Sequence, residues 1–319
     1  MAKRIHTTLT GMNMRSKLQS AMEYLMTYGW AILVIAVVLG VLYSLGIFSP
    51  SNFAPKATPG SCQVFRPNGP GTSYDANLEG TCSGELPQYV AQFSGCGAGC
   101  SNSYINVGNS LALNNMQQGI TVTAWINVAN GFFEAKASDH FPIVSKQASG
   151  NTAGYLFFVQ SGNKYLSMVT DSNGGFSVAY AGSPLSEGQW YFVAFSGSSS
   201  GSTFYINDNA VTTQGTFNSL ALSTTANLIV GESYSQSGDW GSDASGNIAN
   251  VQIYNTTLNS VSINALYAEG IGGAPVNLQQ LVGWWPLNGN ANDYSGNGND
   301  GAPTRVGYIG TWQSGYTPP

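Results

Sequence analysis

Hydrophobic residues are distributed along this chain in two unlike ways. From Leu18 to Phe48 the sequence LQSAMEYLMTYGW runs into AILVIAVVLGVLYSLGIF, and Glu23 is its only charged residue. Wound as a helix, residues 22–48 span ~40 Å at ~1.5 Å per residue, enough to cross a ~30 Å hydrocarbon core with some tilt. Tyr24, Tyr28 and Trp30 bracket one end and Tyr43 and Phe48 the other, as rings do at a membrane interface. Past residue 86 the pattern changes. Short stretches alternate apolar and polar residues, such as Thr121-Val122-Thr123-Ala124-Trp125-Ile126, and Gly, Asn, Ser and Asp fill the gaps. They predict strands at Tyr89–Phe93, Tyr104–Val107, Ile120–Asn127, Pro142–Lys146, Tyr155–Gln160, Tyr165–Val169, Phe176–Tyr180, Trp190–Ser196, Thr203–Ile206, Asn227–Glu232, Asn247–Tyr254 and Leu281–Leu287. One short helix is predicted at Asn259–Tyr267, with Ile263 and Leu266 inward and Gly270 as its stop. Many short strands with one wetted face predict a mainly β sandwich or barrel. Between the two patterns, residues 49–85 carry Pro50, Pro55, Pro59, Pro67 and Pro70, which forbid a long helix, so this segment reads as a stalk.

Charge then orients the chain. Lys3, Arg4, Arg15 and Lys17 precede the apolar run and no acid does. The positive-inside rule puts residues 1–17 in the cytoplasm and everything after Phe48 outside, an extracellular head on a membrane-embedded helix. Charged residues make up only 8% of the chain, against ~25% in ordinary soluble domains. The rest of the surface is therefore polar but uncharged. No basic patch is present beyond the leader, which excludes nucleic acid as a partner. Cys62, Cys82, Cys96 and Cys100 all fall on the outer side, and an even number there reads as disulfides. Three pairings are open. The spacing favours Cys62–Cys82 and Cys96–Cys100, and a zinc site has only a C-x3-C spacing without a nearby His in its favour.

Glu23 is the informative residue of the apolar run, because a carboxylate there is costly unless paired. A cut between Leu18 and Gln19 would give Gln19 an α-amino group one helical turn from Glu23, and the two charges could neutralise each other within or between subunits. The basic segment followed by QSAMEYLMTYGWAI and a long apolar helix resembles the class III leader of archaeal type IV pilins and related filament subunits. The resemblance implies that a prepilin-type peptidase removes residues 1–18. Residues 19–48 then stay on the mature protein and pack with other copies in a filament core. That family usually has Gly before the cut, where this chain has Leu18. An uncleaved signal anchor explains the apolar run and its flanking charges equally well, but not Glu23 or its context.

A second resemblance covers the head. ITVTAWINV, PIVSKQ, LSEGQWYFVAFSGSSSGSTFYINDNAV and IANVQIYNTTLNSVSINALYAEG, in that order, resemble the laminin-G-like, concanavalin A-like domain. This implies a jelly-roll of two antiparallel sheets over residues 86–319, with Trp125, Phe157, Trp190, Phe192 and Ile253 in a shared core. LVGWWPLNGNANDYSGNGNDG, at Leu281–Gly301, resembles the segment that normally opens such a domain, so the domain reads as circularly permuted. The strand at Leu281 either closes its own sandwich or completes a neighbour's. Tethering favours its own.

Candidate chemistry is sparse. Asn292, Asp293, Asn297 and Asp300 sit in a Gly-rich loop whose oxygens either hold calcium or make turns. Asp239, Trp240 and Asp243 form a second acidic loop, where Trp240 either stacks on sugar or plugs the fold. Asn255 begins the only N-x-[ST] sequon and is a glycosylation candidate. Nothing supports an enzyme. There is no E-x-D-x-E-like cluster, G-x-S-x-G or H-E-x-x-H, and His140 stands alone outside the leader. The expected function is a pilin-like surface subunit or adhesin whose partners are copies of itself and extracellular glycans or proteins. A non-polymerising, membrane-anchored carbohydrate-binding protein is the alternative, and a glycan hydrolase a remote one.

Overall fold

The computed structural model describes residues 28–41, 87–95, 102–116, 118–135, 140–147, 153–172, 175–218, 224–233 and 242–317. The chain divides into two units, residues 1–57 and 58–319. In the first, residues 28–41 form helix α1. Its large apolar side chains are exposed on every face, from Trp30 at 69% to Val41 at 49%. A helix that is apolar all round is one that buries itself in lipid or among other helices. Among the described residues no helix is long and apolar enough to cross a membrane. Leu18, Gln19, Glu23, the remainder of the predicted 19–48 helix, the 49–85 stalk and all four cysteines lie outside the described residues.

The second unit is a sandwich of two antiparallel sheets, its strands numbered in chain order. Sheet A runs β10 (Asn209–Val211), β9 (Gly201–Ile206), β8 (Trp190–Ser198), β3 (Ile120–Val128), β13 (Ser245–Tyr254), β1 (Tyr89–Ser94), β16 (Gly307–Gly310), with β14 (Leu281–Trp285) also on β13. Sheet B runs β11 (Thr213–Gly215), β7 (Gly175–Pro184), β6 (Tyr165–Ser172), β5 (Ala153–Val159), β4 (Phe141–Gln147), β12 (Leu228–Val230), β2 (Tyr104–Gly108), β15 (Ala302–Thr304). Two helices complete it, the single turn α2 (Phe132–Ala135) and α3 (Ser260–Ala268). All predicted strands are present, and the predicted helix begins one residue later because Asn259 caps it, its side chain accepting from the Ser262 N–H. The strands missing from the sequence pattern are β10, β11, β15 and β16. They are the four sheet edges, three or four residues each, too short for a period-2 signal. Short edges also offer little template for pairing with another chain.

Alternation along β3 decides where the core lies. Ile120, Val122, Ala124, Ile126 and Val128 face sheet B and meet Phe157, Val159, Met168 and Ile253 in the main core. Trp125 faces the other way, so the expectation of a single shared core needs correcting. Trp125 and Phe192 belong to a second buried cluster with Tyr254, Ile263, Leu266 and Tyr316, against which Trp190 packs half-buried. Trp125 stacks near-parallel on Tyr267 of α3, their centroids 5.8 Å apart, and meets Tyr316 edge-on at 5.2 Å. Sheet A is thus covered on both faces, with α3 and the C-terminal residues as a third layer, and β3 is buried along its whole length.

At one end of the sandwich a cation is buried. Lys146 of β4 is fully covered, and its Nζ donates to Asn109 Oδ1 (3.0 Å), Thr224 O (2.8 Å) and Ala226 O (2.7 Å). Burial pulls its pKa down to about 8. The three neutral oxygens take the place of a counter-ion and tie to β4 the residue that follows β2 and the stretch that leads into β12. Replacing Lys146 with Met strands these acceptors, so Lys146→Met is expected to lower unfolding stability by ~2–4 kcal/mol in urea denaturation; an unchanged midpoint would contradict this role.

Candidate functional site

The acidic loop of the sequence sits where β12 hands over to β13. Gly231, at φ +85°, turns the chain against the ring of Phe93, and a Cβ there would come within 2.2 Å of the ring. Ser233 N–H donates to Ser242 O (3.0 Å), Ala244 N–H to Gly231 O (2.8 Å), and Ser242 N–H to Ser233 Oγ (3.1 Å). Glu232 and Asp243 are therefore paired across an antiparallel bridge. The bonds come from the residues flanking them, which makes theirs the non-hydrogen-bonded kind of pair, with Cα atoms ~4.5 Å apart and side chains on one face. Asn102 Nδ2 donates to Glu232 Oε1, and Ser242 Oγ accepts from His140 N–H (2.9 Å). Burial raises the Glu232 pKa above the ordinary glutamate value. The hydrogen bond from Asn102 opposes the rise and the negative charge of Asp243 adds to it.

Asp243 is thus buried, while Asp239 and Trp240 lie outside the described residues. Glu232 and Asn102 are the residues that sequence reasoning missed. Glu232 directly follows the apolar LIVG, but Asn102 is remote in sequence and carries no motif. His140 is buried, its ring 4.8 Å from that of Phe158 and its Nδ1 accepting from Ser161 N–H (3.3 Å), which places it in the packing of sheet B. On the face of sheet B turned away from the core, Tyr165 and Tyr180 stack at 5.8 Å and 8°. Beside them Leu156, Phe158 and Val169 form a small buried cluster.

The candidate calcium loop is built differently from a cation cage. Asp293 Oδ1 accepts from Trp284 N–H (3.0 Å) and Ser295 N–H (2.8 Å), and Oδ2 from Ser295 Oγ (2.8 Å) and Asn299 N–H (2.9 Å). All four of its lone-pair directions are used by the protein, and the residue is buried. Asn297 turns its Nδ2 toward Leu281 O (2.9 Å) and Val282 O (3.0 Å), and Asp300 Oδ1 accepts from Asp293 N–H (2.8 Å). In this arrangement the Asp293 carboxylate and the Asn297 amide are turned to the protein's own groups and staple the loop to β14. Among the described residues no group of three or more His, Cys, Asp or Glu could hold a metal. Asn255 follows β13 in a partly exposed turn, with Thr257 exposed beside it.

A protein-family model described as the concanavalin A-like lectin/glucanases superfamily matches residues 99–264, just over half of the chain. Similar solved structures include a candidate carbohydrate binding protein from Bacteroides ovatus, at 15% identity and TM-score 0.47 over 70% of this chain and 60% of that one. A heptameric SAP-like pentraxin from Limulus polyphemus has 12% identity and TM-score 0.49 over 73% of this chain and 99% of its own. The receptor binding domain of botulinum neurotoxin D has 15% identity and TM-score 0.42 over 59% and 46%. The chain thus spans less than two thirds of the Bacteroides protein and less than half of the toxin domain. Comparison with curated protein sequences gave no significant match.

Removing the Asp293 carboxylate strands the buried N–H groups of Trp284 and Asn299. Asp293→Ala is expected to cost ~3 kcal/mol or more in chemical denaturation, and millimolar calcium is expected to leave the wild-type melting temperature unchanged. A calcium-dependent rise in melting temperature that Asp293→Ala abolishes would reverse this assignment.

Proposed function

Because the chain belongs to the concanavalin A-like lectin/glucanases superfamily, we propose that it is a cell-surface binding protein of the archaeal type IV pilin kind. Its sandwich head presents loops to extracellular glycans or proteins. Its apolar N-terminal helix holds it at the membrane and packs against copies of itself in a filament. The observation that carries the reading is α1. A helix whose large apolar side chains are exposed all round, in a chain that also forms a complete two-sheet sandwich, needs a partner for that surface. Gly29, Ala36 and Gly40 fall on one stripe of α1, and Gly29 and Gly40 have open space around them, which suits close approach of a second helix.

In this reading a prepilin-type peptidase cuts between Leu18 and Gln19, and Glu23 pairs with the new amino terminus. Residues 49–85, with disulfides among Cys62, Cys82, Cys96 and Cys100, carry the head away from the membrane, and Asn255 bears a glycan. The head is a circularly permuted laminin-G-like domain that binds without turnover, through the β12–β13 loop with Asp239 and Trp240, while the buried Asp243 anchors the end of that loop.

Two measurements on the full chain test the two halves of the proposal. The mature protein from native membranes is expected to begin at Gln19 by mass spectrometry and to occur in filaments by microscopy; an intact leader on a monodisperse protein favours the plain membrane anchor. On a glycan array the detergent-solubilised protein is expected to select particular glycans, and Trp240→Ala to weaken the best of them at least about tenfold. Unchanged binding by that variant moves the site elsewhere.

A further inference from the structure

Sheet A carries a row of carboxamides on the face turned away from the main core. Alternation sends Ile126, Ile248 and Ala91 into that core, so their neighbours Asn127, Asn247 and Gln92 point the other way. The register sets these three side by side. Asn127 of β3 is paired with Asn247 of β13, and Asn247 with Gln92 of β1, while on its other side Asn127 is paired with Trp190 of β8. Directly paired residues share a face, and neighbouring strands lie ~4.8 Å apart, so the amides span roughly 10 Å. Gly307 of β16, opposite Gln92, ends the row without a side chain. Burial deepens toward Trp190: Gln92 is exposed, Asn247 half-buried and Asn127 only 7% exposed. Among the described residues nothing hydrogen-bonds the Asn127 side chain, and Asn247 Oδ1 is buried without a partner. This is poor chemistry for a sheet face built only to pack. Asn is depleted from strands, and a polar group buried without a partner opposes folding. Thr121, on the same strand and face, shows the contrast. Its hydroxyl accepts from Leu258 N–H (2.9 Å) and donates to Thr256 O (2.7 Å).

We infer that this row is a binding subsite for a neutral, hydroxyl-rich glycan, an inference that deepens the proposed function and rests on it for the ligand class. A carboxamide offers donors and an acceptor together, and a sugar hydroxyl needs both. An ionic ligand would require an opposing charge, and Asn127, Asn247, Gln92 and Trp190 carry none. Trp190 supplies the apolar wall at the deep end. Its Nε1 donates to Ser314 O (2.9 Å) and its ring meets Tyr316 edge-on at 5.9 Å, so the indole is held in place before any ligand arrives. A sugar ring set against the indole brings its hydroxyls to Asn127 and Asn247, and the next unit of the chain reaches Gln92. Asn247 is the third residue of β13, the strand into which the β12–β13 loop leads, so the row continues the proposed binding surface along that strand.

The test presents the full chain, solubilised in detergent, to neutral oligosaccharides of hexoses and N-acetylhexosamines and, in parallel, to sialylated and sulfated ones. The wild type is expected to bind members of the neutral set. Asn127→Leu keeps the shape and removes the amide, and is expected to weaken the best of them at least about tenfold; Gln92→Ala is expected to weaken it about threefold. Because Asn127 gives up no bond to the protein, the melting temperature of Asn127→Leu is expected to stay level or rise. A marked fall in that temperature shows the amide serving the fold and overturns the subsite. Wild-type binding confined to the anionic set, or full binding of the neutral set by both variants, overturns it as well. If no glycan of either set is bound, the proposed function fails with it. Binding lost in Trp240→Ala but kept in Asn127→Leu removes the amide row alone.

Discussion

The pairing of β13 is the constraint on which the rest of the head depends. Along one side it pairs with β3 over almost its whole length. Along the other its first half, Ser245–Ile248, takes β1, and its second half, Val251–Tyr254, takes β14. One strand therefore binds the first and a late strand of the domain, and both terminal segments of the sandwich are held by it. The change of partner falls at an irregularity between Ala249 and Gln252, where Asn250 adopts a positive φ of 48°. The Asn250 side chain organises that point. Its Nδ2 donates to Gly273 O (2.9 Å), and its Oδ1 accepts from Gln252 Nε2 (3.0 Å) and Trp284 Nε1 (2.8 Å). Tyr254 O–H extends the network by donating to Gln252 Oε1 (2.6 Å). Each of these groups is buried and has a partner, so the network fixes the register of β14 without leaving a polar atom stranded.

Other features follow from that arrangement. With β14 in place, the loop after it is pinned by Asp293, and the chain can return through β15 and β16 to cover an edge of each sheet. The C-terminal residues then reach the outer face of sheet A, where Tyr316 seats against Trp125 and Trp190 and its O–H accepts from Ile271 N–H (3.0 Å). The outer aromatic layer is a product of this closure. Under this cover Thr121 of β3 is buried yet bonded, its Oγ1 accepting from Leu258 N–H (2.9 Å).

Much of this was legible in the sequence. Alternation in ITVTAWINV and IANVQIY gave β3 and β13 nearly to the residue, and the resemblance of LVGWWPLNG to an opening segment pointed to a terminal strand that joins the sandwich. The errors share a cause. Periodicity says that Trp125 and Val122 face opposite ways, but not that both faces are covered, because α3 and Tyr316 are remote in sequence. The edge strands escaped because their pairing comes from a partner and not from their own pattern. The sequence left the role of Asp293 open, because an oxygen-rich, glycine-rich loop looks alike whether its carboxylates face a cation or the loop's own N–H groups. The burial of Asp243 could not be read from the sequence, because its partner Glu232 stands eleven residues away.

Display and binding both presuppose that the head is complete within one chain, and β14 is where that claim is most exposed. The direct measurement is amide exchange of Val282–Trp285 in the intact protein at a concentration where it is dispersed. If β14 belongs to its own sandwich, these amides exchange only with global unfolding, at the rate of the β3 amides. If they exchange orders of magnitude faster while β3 stays protected, and slow only as protein concentration rises, the strand serves a neighbour and the self-contained head is wrong.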